Sequence, residues 1–173
     1  MPRLFFALWP DEQAREALAM QARALAKETG GREVPAARLH LTLAFLGAVE
    51  SRSLASIRRA ADTVSVESFQ IIFDQVGAFR NAGVGWAGCS RPERRLLALQ
   101  SALEFAMRAE GFPREERPYS PHATLVRRIA TPVDAKPIPP VLWRVPTFAL
   151  VETQRNTGRY VTLAEWRLRQ AST

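Results

Sequence analysis

The chain has 173 residues, 47% of them hydrophobic and 24% charged, with one cysteine and two histidines, the balance of a soluble globular protein with one core or two joined lobes. This composition excludes a membrane-embedded protein, a disordered tail and a disulfide scaffold, and with Cys89 alone a Cys-rich zinc site cannot form either, so a reducing compartment, the cytoplasm, is expected. Net charge is +7 and 22 of the 24 basic residues are arginine, a surface suited to phosphates, although codon bias toward Arg, Ala and Pro is a competing source of the same excess.

In chain order, residues 3 to 9 read as a strand, since Leu4 to Trp9 is too short for a membrane span and runs directly into Pro10-Asp11-Glu12, unlike a signal peptide. An amphipathic helix follows from Asp11 to about Glu28, with Ala17, Leu18, Ala22, Leu25 and Ala26 near helical spacing and Gly30-Gly31 as its stop. Leu39 to Leu46 alternates as a strand, placing Leu39, Leu41, Leu43 and Phe45 on one face and His40, Thr42 and Ala44 on the other. A second helix is expected over Ser51 to Thr63 and a strand over Phe69 to Phe79. A turn at Asn81-Ala82-Gly83 leads to its partner strand, Val84 to Cys89. Pro92 opens a third helix that reaches about Glu110, and His122 to Ile129 is a further strand. The segment 130 to 146, with five prolines, reads as an exposed connection, and strands at 147 to 153 and 159 to 167 close the chain around Asn156-Thr157-Gly158.

Hairpin signals and the closing strand pair favour a mixed, mainly antiparallel α+β fold over a parallel sheet. The chain also repeats itself at an offset of 82 residues: Pro10 precedes His40 by the same interval as Pro92 precedes His122, and both strand-helix-strand units end in His-x-Thr-Leu. A structural duplication with a pseudo-twofold axis would bring the two histidine strands together at a central cleft.

The only two histidines each have Thr two positions on, in His40-Leu41-Thr42-Leu43 and His122-Ala123-Thr124-Leu125. Residues i and i+2 of a strand project from one face, so each motif aims an imidazole and a hydroxyl in the same direction. Two such motifs in opposition suit displacement at a phosphodiester phosphorus. One imidazole takes a proton from the nucleophile, the other gives one to the leaving oxygen, and the threonine hydroxyls donate to the non-bridging oxygens. No metal or other cofactor is called for: two histidines lack a third ligand, and nothing acidic shares their strands. Taken alone, each histidine would be a structural or surface imidazole, each threonine an ordinary strand former, and each aromatic a core residue; no base-stacking residue can be named.

Beyond the motifs, Arg3-Leu4-Phe5-Phe6-Ala7-Leu8, Arg38 to Gly47, Gly77-Ala78-Phe79 and Pro121 to Arg127 occur in an order that resembles the two-histidine phosphoesterase superfamily, and within it the RNA 2',3'-cyclic phosphodiesterases of bacteria and archaea, also named 2'-5' RNA ligases. The likeness spans nearly the whole chain. It implies one two-lobed domain over residues 1 to 173, with antiparallel sheets lining a cleft and helices outside. It also implies metal-independent opening of a 2',3'-cyclic phosphate to a 2'-phosphate, with His40 as proton donor, His122 as acceptor, and Thr42 and Thr124 binding substrate. The expected substrate is RNA ending in a 2',3'-cyclic phosphate, tRNA fragments among the candidates, acted on by a monomer in the cytoplasm without a membrane partner; reversible 2'-5' ligation is a second activity of such a site. A small cyclic nucleotide or ADP-ribose cyclic phosphate is an alternative substrate, and a non-catalytic RNA-binding module an alternative role, although binding alone would not need two titrating groups. Two departures stand out. Glu152-Thr153 replaces the common Glu-Ser, and strict alternation from His122 and Thr124 turns Arg127, the resemblance-derived phosphate ligand, to the opposite face and Arg128 to theirs, unless the strand bends.

Overall fold

The computed structural model of the chain describes residues 1–171. Strand β1 (Arg3–Leu8) is apolar almost throughout because both of its faces are covered: Leu4, Phe6 and Leu8 enter the main core, while Phe5 and Ala7 join Ala149 and Val151 in a small cluster on the opposite face. Helix α1 (Glu12–Thr29) starts where Asp11 accepts the Ala14 N–H at 2.9 Å and stops where Gly30 takes the left-handed conformation at φ 67°. It buries Ala14, Leu18, Ala22 and Leu25.

The remaining strands are β2 (Arg32–Glu33), β3 (Leu41–Ala48), β4 (Phe69–Phe79), β5 (Val84–Gly88), β6 (His122–Arg127), β7 (Lys136–Val145), β8 (Thr147–Thr153) and β9 (Tyr160–Arg167). Their order is β7-β4-β5-β6-β3-β1-β8-β9, with β2 added beside β6, and every ladder between these strands is antiparallel. The nine strands form one continuous antiparallel sheet, in keeping with the expected mainly antiparallel α+β class, and on the strand path four strands lie on either side of the contact between β6 and β3. They meet at one residue pair, Leu41 opposite Ala123. These two residues stand one repeat apart in the sequence, so the junction lies on the pseudo-twofold axis.

Helix α2 (Leu54–Asp62) is preceded by a separate 3-10 turn at Ser51–Ser53, so the helix expected from Ser51 is two pieces. Helix α3 (Arg94–Ala109) begins after Pro92 with Glu93 as its cap. Helix α1, which follows β1, packs on β5, β6 and β7 of the other half, whereas α3, which follows β5, packs on β3 of the other half and on β4 of its own. This crossing fixes one half-sheet to the other despite their narrow junction.

The proline-rich segment corrects the sequence reading, because most of it is strand β7 and not a connection. As the edge strand of the sheet it needs hydrogen bonds on one side only, which edge prolines permit. Its ladder with β4 pairs Phe73 with Val141 and then Gln75 with Pro137, so Ile138, Pro139 and Pro140 bow out of register. Beyond that bow Val141, Trp143 and Val145 alternate into the core.

Candidate active site

His40 immediately precedes β3 and His122 opens β6, and the antiparallel pairing of Leu41 with Ala123 sets each histidine across from the other motif's threonine. The two imidazoles are held alike. His40 Nδ1 is 2.7 Å from the Arg38 carbonyl oxygen and His122 Nδ1 is 2.8 Å from that of Ser120. A carbonyl can only accept, so each Nδ1 carries a proton and donates it, which leaves each neutral ring with a basic Nε2. The approach to the second motif is tied to the first by Tyr119, whose hydroxyl donates to the Thr42 carbonyl at 3.0 Å and whose phenol is pushed well above its ordinary pKa by burial.

Both motif strands break step after the threonine, at the same place. In β3, Ala7 pairs with Thr42 and Phe6 with Ala44, leaving Leu43 without an opposite; in β6, Trp86 pairs with Thr124 and Gly85 with Val126, leaving Leu125 without one. Such a bulge flips every later side chain to the other face. Arg127, opposite Val84, thus shares the face of Trp86, Thr124 and His122, and the strict-alternation objection to it falls away. Arg128 leaves the strand with φ 55°. The same shift overturns the expected placement of Phe45: it stands opposite Phe5 on the histidine face and is 69% exposed.

Both imidazole pKa values are lowered from the ordinary 6.5, in each case mainly by burial and partly offset by the Nδ1 hydrogen bond. The Arg127 guanidinium adds to the lowering at both rings. Arg38 and His122 lower His40 further. One arginine from β6 therefore acts on both motifs, and it has company, since Arg32 of β2 pairs directly with Arg127.

Aromatic rings shape the surroundings. Phe5, Trp9 and Tyr160 lie 5.2, 5.6 and 5.2 Å from the His40 ring, centroid to centroid, and Arg38 stands over Tyr160 at 4.8 Å. At the second motif Phe79 meets His122 edge-on at 4.9 Å and packs on Trp86 at 5.5 Å. Gly77 is needed there because a Cβ would come within 2.5 Å of the Trp86 ring. Sequence reasoning missed Phe45, Tyr160, Arg32 and Arg38 as members of this face. Only the bulges carry Phe45 and Arg127 there, and period-two counting has no signal for a bulge.

The family model for the 2'-5' RNA ligase superfamily matches residues 9–157. The chain belongs to that superfamily. Among curated members it is 32% identical over 172 residues to the RNA 2',3'-cyclic phosphodiesterase of Escherichia coli, covering 97% of each chain, and 34% identical over 128 residues to the protein of that name from Archaeoglobus fulgidus, covering 72% of each. The crystal structure of E. coli LigT complexed with 3'-AMP superposes with a TM-score of 0.86 at 32% identity over 98% of this chain and 100% of that one. Among the described residues no helix is long and apolar enough to cross a membrane, and no three His, Cys, Asp or Glu side chains converge as a metal site would require.

Proposed function

We propose that this superfamily member is an RNA 2',3'-cyclic phosphodiesterase that hydrolyses a terminal 2',3'-cyclic phosphate to a 2'-phosphomonoester by metal-independent acid-base catalysis. The observation that carries the reading is the single pair Leu41 and Ala123, which makes neighbours of two imidazoles with matching tautomers beside one shared arginine. His122 Nε2 takes a proton from water as the water oxygen bonds to phosphorus. The bond from phosphorus to the ribose 3'-oxygen breaks, and His40 gives that oxygen its proton, so the phosphate stays on the 2'-oxygen. Thr42, Thr124 and Arg127 donate to the non-bridging oxygens, where negative charge gathers.

Lowered imidazole pKa values suit the base role directly. The acid role needs His40 protonated in the complex, and the anionic substrate supplies the stabilising charge that the free site, with its arginines, withholds. Exposed Phe45 offers its ring to the terminal base. With a 5'-hydroxyl in place of water the same ring opening gives a 2'-5' linkage: the 5'-oxygen bonds to phosphorus as the bond to the 3'-oxygen breaks, and the reverse step cleaves that linkage. The protein acts in the cytoplasm as a monomer, on RNA ends that include tRNA fragments.

The test is incubation of the purified protein with EDTA and a short RNA ending in a 2',3'-cyclic phosphate, followed by assignment of the product phosphate. Undiminished conversion to the 2'-phosphate is expected. Activity that vanishes with EDTA and returns with a divalent ion would overturn the metal-free mechanism, and a 3'-phosphate product would overturn the bond assignment.

A further inference from the structure

The face that carries His40 continues along the first half-sheet in three cross-strand rows. Direct pairing sets Thr42, Ala7 and Ala149 in the first row, Phe45, Phe5 and Val151 in the second, and Ala48, Arg3 and Thr153 in the third. The β1 to β8 ladder runs without a register shift, so Ala7, Phe5 and Arg3 share one face. The first row places Thr42 beside the reacting phosphate, and its two alanines are buried beneath Trp9 and Tyr160, whose rings lie 6.3 Å apart. The second row is the aromatic platform. The third lines a surface pocket of about 480 Å³, completed by Gln154, Arg155 and Gly158 from the β8 to β9 turn.

We infer that this pocket, with Arg3 and Arg155 as its cations, binds a backbone phosphate of the RNA on the 5' side of the terminal nucleotide, which makes the protein an oligonucleotide enzyme with a defined strand direction. The inference rests on the proposed function. Three observations support it. Neither arginine is paired with a carboxylate among the described residues, so both guanidiniums are available to an anion. Gly158 at φ 64° closes a tight turn that brings Arg155 back toward Arg3, with Thr157 donating to the Gln154 side chain at 3.1 Å. Finally, Arg3 stands four residues from Ala7, roughly 13 Å along the strand, a stretch that two extended nucleotides cover once the terminal base has occupied the aromatic row. A phosphate bound at the first row and a base on the second leave the chain running toward the third.

The experiment compares adenosine 2',3'-cyclic phosphate with an RNA tetranucleotide ending in the same cyclic nucleotide, measuring kcat and KM at several salt concentrations. The full chain is compared with Arg3→Gln, Arg155→Gln, the double variant, and Arg108→Gln, an exposed arginine of α3 outside the pocket. The tetranucleotide is expected to have the lower KM at low salt, because contacts remote from the reacting phosphorus bind ground and transition states alike. Each pocket substitution should raise its KM about three- to tenfold and reduce the slope of log(kcat/KM) against log[salt] by about 0.7. The double variant should bring the two substrates close to parity, while Arg108→Gln leaves their ratio as in the parent. An unchanged ratio and salt slope in the double variant, with the mononucleotide still hydrolysed by the parent, would overturn the subsite and leave the proposed function standing. A parent protein that opens neither cyclic phosphate would overturn both.

Discussion

The two halves of the sheet begin from the same plan and end with different equipment. Each presents His-x-Thr-Leu, each breaks step at the leucine, and each imidazole donates from Nδ1 to the carbonyl two residues before it. The residue brought onto the active face by the bulge, five positions after the histidine, is Phe45 in the first half and Arg127 in the second. Phe45 joins Phe5, Trp9 and Tyr160 on the face of the first histidine, whereas the second half, with Phe79 and Trp86 at its own histidine, supplies the charge felt at both rings. Duplication explains the paired histidines, to which the proposed function gives the acid and base roles. On the proposed function, divergence at one equivalent position would let a symmetric frame hold an asymmetric nucleotide, with its base toward Phe45 and its reacting phosphate toward Arg127.

The largest expected effect comes from removing the shared part of the plan. His40→Ala and His122→Ala should each lower kcat by at least about 100-fold, and the double variant should lose far less than the product of the two, because acid and base act on one step. Thr42→Ala and Thr124→Ala should cost about 10- to 1,000-fold through lost charge stabilisation. Steady-state kinetics on a cyclic mononucleotide checks all five variants. Near-normal turnover by His40→Ala would mean that the halves are not equivalent in catalysis.

Arg127→Gln tests what distinguishes the second half. Loss of a charge-assisted contact to the phosphate should cost about 10- to 100-fold in kcat/KM. It should also move the pH profile. The guanidinium disfavours both imidazolium forms, so its removal raises both pKa values, and both limbs of the bell should shift to higher pH. A loss of rate without that shift would assign Arg127 to binding alone.

Phe45→Ala tests what distinguishes the first half, with a smaller effect. A lost base stack should raise KM for a cyclic nucleotide about 5- to 50-fold and leave kcat within about twofold, because the ring is remote from the bonds that change. Phe45→Tyr should restore most of the binding. An equal loss with both variants would mean that the ring packs the strand and does not meet a base.

The sequence displayed the two His-x-Thr pairs because period-two spacing and an 82-residue echo are local patterns that survive without tertiary information. Strands β1, β4, β8 and β9 and helix α1 were legible for the same reason, their apolar spacing and their Asp11, Gly30 and Gly158 signals being written in neighbouring residues. Two kinds of feature were not. Strand β7 carries prolines that argue against a central strand, and only its position at the sheet edge removes the objection. The faces of Phe45 and Arg127 depend on bulges, which are set by which strand lies alongside and not by the bulged strand itself. Period-two counting set Phe45 on the face of Leu39, Leu41 and Leu43 and turned Arg127 away from His122, although the resemblance kept Arg127 as a phosphate ligand, and one skipped residue in each ladder puts both on the histidine face.

The smallest expected effect separates the two imidazoles by their surroundings in the folded protein. Both have folded-state pKa values below the ordinary 6.5, so as pH falls through 6.5 the unfolded chain takes up protons first and stability declines. The decline continues down to the folded-state pKa values and stops below them. Asp74 does not contribute in this window: the Ser90 hydroxyl lowers its pKa from 3.8, so its stabilisation is present above that value and is lost only at lower pH. Tm measured by calorimetry should therefore fall from pH 7 to pH 5. The repulsion between the two rings is removed by replacing either one, and Arg127 acts on both, but Arg38 opposes the charge on His40 alone. His40→Gln should accordingly flatten the decline more than His122→Gln. Equal flattening would mean that Arg38 adds nothing to the lowering at His40, whereas a steeper dependence in His122→Gln than in the parent would reverse the sign of the coupling between the two halves.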